Sequence, residues 1–234
     1  MEADQIRRNL DLVREKMEQA ARRSGRIPAS IKLIAVSKTV NPERITRALE
    51  NGVHCLGENR VQEGAEKRKI LKGYPFEFHL IGTLQKNKVN KAVAVFDWIQ
   101  SVDSIELARK ISQAGEKLNK VVPVLLEVNL GGEGSKSGIT EDLLPALALE
   151  TARLPCLSLR GLMAIPPFFE DPEEVRPYFR RLRELSDRLK KLDLSNCPFV
   201  ELSMGMSHDF PVAIEEGATM VRVGAAIFGE RVYP

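Results

Sequence analysis

The chain is short of the residues on which several common chemistries depend. Its three cysteines, Cys55, Cys156 and Cys197, lie far apart with no Cys-x-x-Cys pair, which argues against a disulfide framework or a thiolate metal site and fits reduced thiols in a cytosolic protein. Its three histidines, His54, His79 and His208, show no His-x-x-x-His spacing. There is no Gly-x-Ser-x-Gly elbow, and the ends of the apolar runs carry no carboxylate pair of the kind that metal or glycosidase chemistry needs. No apolar run approaches the roughly 18 residues of a membrane span. The N-terminus, Met-Glu-Ala-Asp-Gln, lacks the basic and apolar regions of a signal peptide. A surplus of one charge is missing too. With 35 basic and 32 acidic residues interspersed and a net charge of +3, there is no electrostatic footprint for nucleic acid or an anionic membrane.

What is present is a regular beat. Ile6, Leu10, Val13, Met17, Ala20 and Ala21 recur at helical steps and predict an amphipathic helix that Asp4 caps and Gly25 and Pro28 close. Apolar runs at 31–37, 53–56, 76–81, 97–102, 121–128, 157–164, 199–203 and 219–223 then alternate with helical patterns. Those patterns begin at Asn41-Pro42 and continue at 60–71, 86–95, 103–115, 141–153, 172–192 and 209–216. Eight strand–helix units in 234 residues predict one domain, 1–234, folded as a (β/α)8 barrel with an extra N-terminal helix. An open doubly wound sheet is the competing fold, but eight units exceed its usual five or six.

In such a barrel the C-terminal strand ends share one face, where chemistry collects. The run Ile31 to Val36 ends on Ser37-Lys38, so Lys38 stands at that face, where a lysine that loses solvation can attack an aldehyde to form a Schiff base. After the seventh strand comes Ser203-Met204-Gly205-Met206-Ser207, and after the eighth Gly224-Ala225-Ala226. Small residues and hydroxyls there, with a short helix from Ala225, suit a phosphate. Barrel closure brings them beside the first strand, so Lys38 faces a phosphorylated ligand. Imine chemistry on a sugar phosphate and a Schiff base with pyridoxal 5'-phosphate (PLP) both fit. The loop Gly131 to Gly138 carries Ser135-Lys136-Ser137 but lacks the glycine that precedes a P-loop lysine, and it serves either as a cover or as a solvated loop.

Seven segments in matching order, from Ala35-Val36-Ser37-Lys38-Thr39 through Gly57-Glu58-Asn59, His79-Leu80-Ile81-Gly82, Ser135-Lys136-Ser137-Gly138, Arg160-Gly161-Leu162-Met163 and Ser203-Met204-Gly205-Met206-Ser207 to Val221-Arg222-Val223-Gly224, resemble the pyridoxal phosphate homeostasis proteins. The resemblance implies an alanine racemase-like barrel (the type III fold of PLP proteins) without the racemase's β-domain. It implies PLP as cofactor, a role in intracellular supply of PLP, no established catalytic turnover and apo PLP-dependent enzymes as recipients. By motif match, Lys38 would carry the cofactor and Asn59 would approach its phenolic oxygen. Ser203, Gly205, Gly224 and Ala225 would hold phosphate, and Arg222 would face the pyridine nitrogen. That family usually has Thr or Ser where this chain has Ala225, so one phosphate hydroxyl is absent and weaker cofactor binding is expected. A monomer in the cytoplasm is expected. The alternative, a PLP-dependent racemase of the same fold, needs a second base, for which Tyr74, Tyr178 and Tyr233 are poorly placed.

Overall fold

The structure is a computed structural model that describes residues 2–131, 137–192, 194 and 197–229. Eight parallel strands pair in chain order and the last returns to the first: β1 (Lys32–Val36), β2 (Cys55–Glu58), β3 (Glu77–Leu80), β4 (Trp98–Val102), β5 (Val122–Glu127), β6 (Leu157–Met163), β7 (Glu201–Ser203) and β8 (Met220–Val223). Ala35 of β1 lies opposite Leu56 on one side and Val223 on the other, which is the closure a barrel needs. The outer ring is α1 (Glu2–Arg23), α2 (Pro42–Glu50), α3 (Val61–Ile70), α4 (Val89–Val95), α5 (Ile105–Lys117), α6 (Leu144–Ala152), α7 (Arg176–Leu189), α8 (Phe210–Glu215) and α9 (Ala225–Phe228). The eight-unit barrel expected from the sequence is the fold observed.

Local chemistry explains most boundaries. Asn41 caps α2 by accepting the Glu43 amide at 2.9 Å, and Pro42 takes the first helical position, where its missing donor costs nothing. The 172–192 pattern resolves into a 3-10 turn at Pro172–Val175 and then α7, which opens on Arg176-Pro177. Likewise the 86–95 pattern starts as a 3-10 turn over Lys86–Lys88. The second strand sits further along than its apolar residues suggest, taking in Gly57 and Glu58. A Cβ on Gly57 would come within 2.9 Å of Ile34 Cγ2, so the tight barrel interior accepts only glycine there. The Asp4 cap falls outside the described side chains.

At four residues, α9 is too short to cover the seam between β8 and β1. The 22-residue α1, about 33 Å long at the usual rise, does so instead and packs on α8, α9 and α2. It buries Ile6, Leu10, Val13, Met17, Ala20 and Ala21, the stripe expected from the sequence. Asn9 Nδ2 donates to Ile227 O at 2.9 Å, tying this helix to the segment that follows β8.

Inside the barrel a small apolar cluster (Ile34, Cys55, Trp98, Leu125, Met163 and Met220) is separate from the large core between sheet and helices. The rest of the interior is polar. His79, Gln100 and Ser203 are fully buried and Arg222 is 3% exposed.

Candidate functional site

The C-terminal mouth holds a cavity of about 840 Å³ whose lining includes Lys38, Asn59, Ser207, Arg222, Gly224 and Ala225. Five of the seven residues singled out from the sequence therefore meet in one place, drawn from β1, β2, β8 and the loops that follow them.

Lys38 is held from both neighbours. Ser37 Oγ donates to Glu58 Oε1 at 2.8 Å, and Lys67 Nζ donates to Ser37 O at 2.5 Å and to Glu58 Oε1 at 2.7 Å. On the other side the Thr39 amide donates to Glu63 Oε1 at 2.6 Å, while Lys67 also bonds Glu63 at 2.7 Å. Thr39 has φ of 62°, a left-handed conformation that a threonine adopts only under such constraint. Burial raises the Glu58 pKa against the pull of Lys67 and Ser37. For Glu63, burial also pushes upward, but hydrogen bonds from Lys67 and the Thr39 amide outweigh it and hold the carboxyl below its ordinary value. Lys67 is the residue that sequence reading missed. Its signal was position: four residues after Glu63 on α3, it reaches under the β1 end from a face where a buried lysine is rare.

The other side of the cavity is built on β7 and β8. Ser207 Oγ accepts the amides of Gly224 (3.1 Å) and Ala226 (3.3 Å), so a hydroxyl and the first amides of α9 converge there. Asp209 closes the preceding loop by accepting the Met206 amide at 2.6 Å. Gly205 stands behind this wall at φ of 89°, and a Cβ on it would meet Ala213 Cβ at 2.6 Å.

Ser203 is placed differently from expectation. It is fully buried below the cavity, its Oγ donating to Gln100 Oε1 at 2.6 Å and accepting from Arg222 Nη1 at 2.8 Å. Side chains alternate along a strand, and the inward parity of β7 turns Ser203 onto the barrel axis, so it holds Arg222 where a phosphate contact was expected. Ser207 supplies the hydroxyl at the mouth.

Arg222 heads a chain of hydrogen bonds down the axis. Its Nη2 donates to Ala164 O at 2.9 Å and its Nη1 to Ser203. Ser203 donates to Gln100, and Gln100 Nε2 donates to His79 Nδ1 at 2.8 Å. His79 Nε2 donates to Glu77 Oε1 at 2.7 Å, and Lys32 Nζ closes the chain on the same oxygen at 2.6 Å. Burial would raise Glu77, but hydrogen bonds from His79 and Lys32 hold it at about 2, and burial keeps His79 below its ordinary value. Glu77 is thus an acceptor and His79 neutral, which makes the donors from Arg222 to His79 point from the mouth toward the far end, where Lys32 donates to Glu77 from the other side. Burial lowers Arg222 to about 10 while Asp209 and Glu127 support its charge, leaving it a cation at neutral pH. At the far end Cys55, Glu77 and His79 cluster as metal ligands do, but Lys32 already occupies the cation position on Glu77.

A barrel of this kind, with a lysine at the end of β1 and an arginine at the end of β8 around one cavity, defines a class, and comparison agrees. The family model for the N-terminal domain of alanine racemase matches residues 1–232. The pyridoxal phosphate homeostasis protein of Aquifex aeolicus is 48% identical over 224 residues, covering 96% of this chain and 97% of that protein, and its Escherichia coli counterpart is 40% identical over 97% of each. PipY of Synechococcus elongatus, solved with PLP bound, superposes with a TM-score of 0.86 at 36% identity, covering 96% of this chain and all of that one. Alanine racemase of Clostridium difficile, at 19% identity and a TM-score of 0.72, covers 97% of this chain and 57% of its own, and shares the fold. This chain belongs to the pyridoxal phosphate homeostasis protein family.

Proposed function

We propose that this chain binds PLP in the cavity at the barrel mouth, carries it as a Schiff base with Lys38, and serves intracellular PLP homeostasis in the cytoplasm without catalytic turnover. The observation that carries this reading is the joining of Lys38, Arg222, Ser207, Gly224 and Ala225 in one cavity large enough for a cofactor. Three free cysteines agree with a reducing compartment, and among the described residues no helix is long and apolar enough to cross a membrane.

The donor set fits the group. PLP supplies an aldehyde for covalent capture and a ring that can draw electrons from a bound amine. Lys38, fixed by the Glu58–Lys67–Glu63 cluster, presents the amine. The Ser207 hydroxyl and the Ala225 amide would offer donors to phosphate, Gly224 stands beside them with its amide on Ser207 Oγ, and Gly205 permits the close wall behind. Asn59 would approach the ring's phenolic oxygen. Arg222, a cation held by Ser203 and Ala164, would keep the pyridine nitrogen unprotonated and so restrain the ring as an electron sink. Among the described tyrosines, Tyr74 bonds Glu50 at 3.0 Å and Tyr178 packs on Phe169, both away from the cavity, so neither supplies a racemase's second base; Tyr233 lies outside the described residues. The family's implied recipients, apo PLP-dependent enzymes, fit a site that holds its cofactor without consuming it, and the role of a monomer is proposed with it.

PLP added to apo protein should give a yellow adduct that borohydride fixes on the peptide bearing Lys38. A preparation that stays colourless and unlabelled at excess PLP overturns the reading. Steady exchange of an amino acid's α-proton at enzymatic rates would overturn the absence of turnover. Replacing Arg222 by Glu should favour a protonated ring nitrogen and shift the absorbance band.

A further inference from the structure

A side chamber of about 260 Å³ adjoins the cofactor cavity and shares Ile81, Gly82, Thr83 and Ile165 with it. Glu127, at the end of β5, lines it. That side chain is 6% exposed, and its Oε2 has no hydrogen-bond partner among the described residues. A buried acceptor without a donor is costly, and a carboxylate more so than a neutral group. Glu58, the comparable carboxylate at the end of β2, bonds the ammonium of Lys67, whereas Glu127 has no such cation in contact among the described residues. The charges that face it are Asp103, following β4, and Arg222 of β8. Burial first and then Asp103 raise its pKa to about 7, with Arg222 opposing.

The chamber's other polar side chains are the Thr83 and Ser137 hydroxyls and the Asn129 carboxamide, each of which offers an oxygen acceptor. The Ile139 amide donates to Glu127 O at 2.8 Å and the Asn129 amide to Ile139 O at 2.9 Å, which brings the adjoining Ser137 across the β5 end. Ser137 Oγ there lies 2.8 Å from Thr83 Oγ1. Val128, Ile165 and Pro166 complete the walls with apolar surface. Oxygen acceptors at one end and hydrocarbon around the rest suit a group with several N–H donors on a short aliphatic stem.

We propose that this chamber binds the ammonium group of a small primary amine, with Glu127 as its counter-ion, beside the cofactor cavity. The inference gives the site of the preceding section a second ligand class, amino compounds, and for that purpose rests on the PLP reading; the binding itself is a property of the apo protein.

The test is calorimetric titration of apo protein with propylammonium chloride at pH 7, in buffers of different ionisation enthalpy, with potassium and tetramethylammonium chlorides at equal ionic strength as controls. Propylammonium should bind and drive Glu127 to its carboxylate, releasing about half a proton per ligand, because a group titrating near 7 is about half protonated there. Glu127→Gln keeps the shape, and a thermal melt confirms its fold. It should weaken binding by about tenfold or more and abolish the proton release. No binding by the wild type, equal binding by Glu127→Gln, or equal binding of potassium overturns the proposal. A PLP titration of the same apo protein separates the failures: PLP binding without amine binding removes only the chamber, and failure of PLP to bind removes the reading beneath it.

Discussion

Gln100 is the link whose loss should be felt most clearly. It is fully buried on the barrel axis, accepting from Ser203 and donating to His79, and both partners are themselves fully buried. Gln100→Leu conserves volume and removes both bonds at once. Ser203 then has a hydroxyl hydrogen with no acceptor, and His79 an Nδ1 with no donor, where water has no access. Each orphaned buried group costs about 1–3 kcal/mol, so the variant should lose roughly 2–6 kcal/mol, a large share of the 5–15 kcal/mol that a folded domain has in total. Urea unfolding of the apo proteins, followed by circular dichroism and fluorescence together to check for two-state behaviour, measures the difference. Since Ser203 also accepts from Arg222, PLP affinity should fall by more than the stability loss alone explains. A loss below about 0.5 kcal/mol with unchanged affinity would show that the axial bonds are incidental, and the account of how Arg222 is held would fail.

Lys67→Met should cost about 3–5 kcal/mol, because it leaves the buried Glu58 carboxylate and the Ser37 carbonyl without their cation, and denaturant titration would show it. Ala225→Thr adds a hydroxyl beside the α9 amides and should tighten PLP binding by about tenfold or more in an equilibrium titration; unchanged affinity would place the phosphate elsewhere. Glu127→Gln should stabilise the apo protein at pH 8 and leave it unchanged at pH 4. Its folded pKa, about 7, lies above the ordinary 4.5, so the wild-type carboxyl is neutral in both states at low pH and its burial costs more as pH rises through that interval, a difference corresponding to roughly 3 kcal/mol. At the acid end, buried neutral His79 and carboxylate Glu77 both act the other way: stability should fall as pH drops below about 6.5, where unfolded histidine takes a proton, and further as Glu77 is protonated toward its value of about 2.

The parts of this site that could be read in the sequence are those fixed by strand ends. After Lys32 the β1 run is apolar on both faces until Ser37-Lys38, so its end and the lysine's place follow directly, and Gly and Ser mark the turns after β7 and β8. The second strand runs past its apolar residues because Gly57-Glu58, a poor strand sequence, is tolerated where the interior leaves no room for a Cβ and Lys67 reaches Glu58. A serine in a Gly-rich turn after a strand reads as a mouth residue, which is why the sequence alone points Ser203 at phosphate. Whether it faces outward or inward depends on register, and register comes from pairing with Met163 and Met220. A signal did exist. Glu77 and His79, and Trp98 and Gln100, stand two apart on their strands and so share the inward face, which placed polar groups where a barrel normally stacks branched hydrocarbons.

That polar axis bears on function through Arg222. An arginine 3% exposed at a cavity floor needs acceptors or it withdraws. Here Ala164 O and Ser203 Oγ provide them, while Ser203 donates its own hydroxyl hydrogen to Gln100 Oε1 and the Gln100 amide donates to His79. His79 accepts because Glu77, held ionised by Lys32, fixes its proton on Nε2. The hydrogen-bond chain that ends on the guanidinium at the mouth thus starts at the opposite end of the barrel, on a partly exposed lysine–carboxylate pair. A neutral pocket of the same shape would accept a ring nitrogen in either protonation state. Under the PLP reading proposed above, this one would present a cation to that nitrogen before any ligand arrives, an arrangement that would favour holding an electron-poor cofactor over using it.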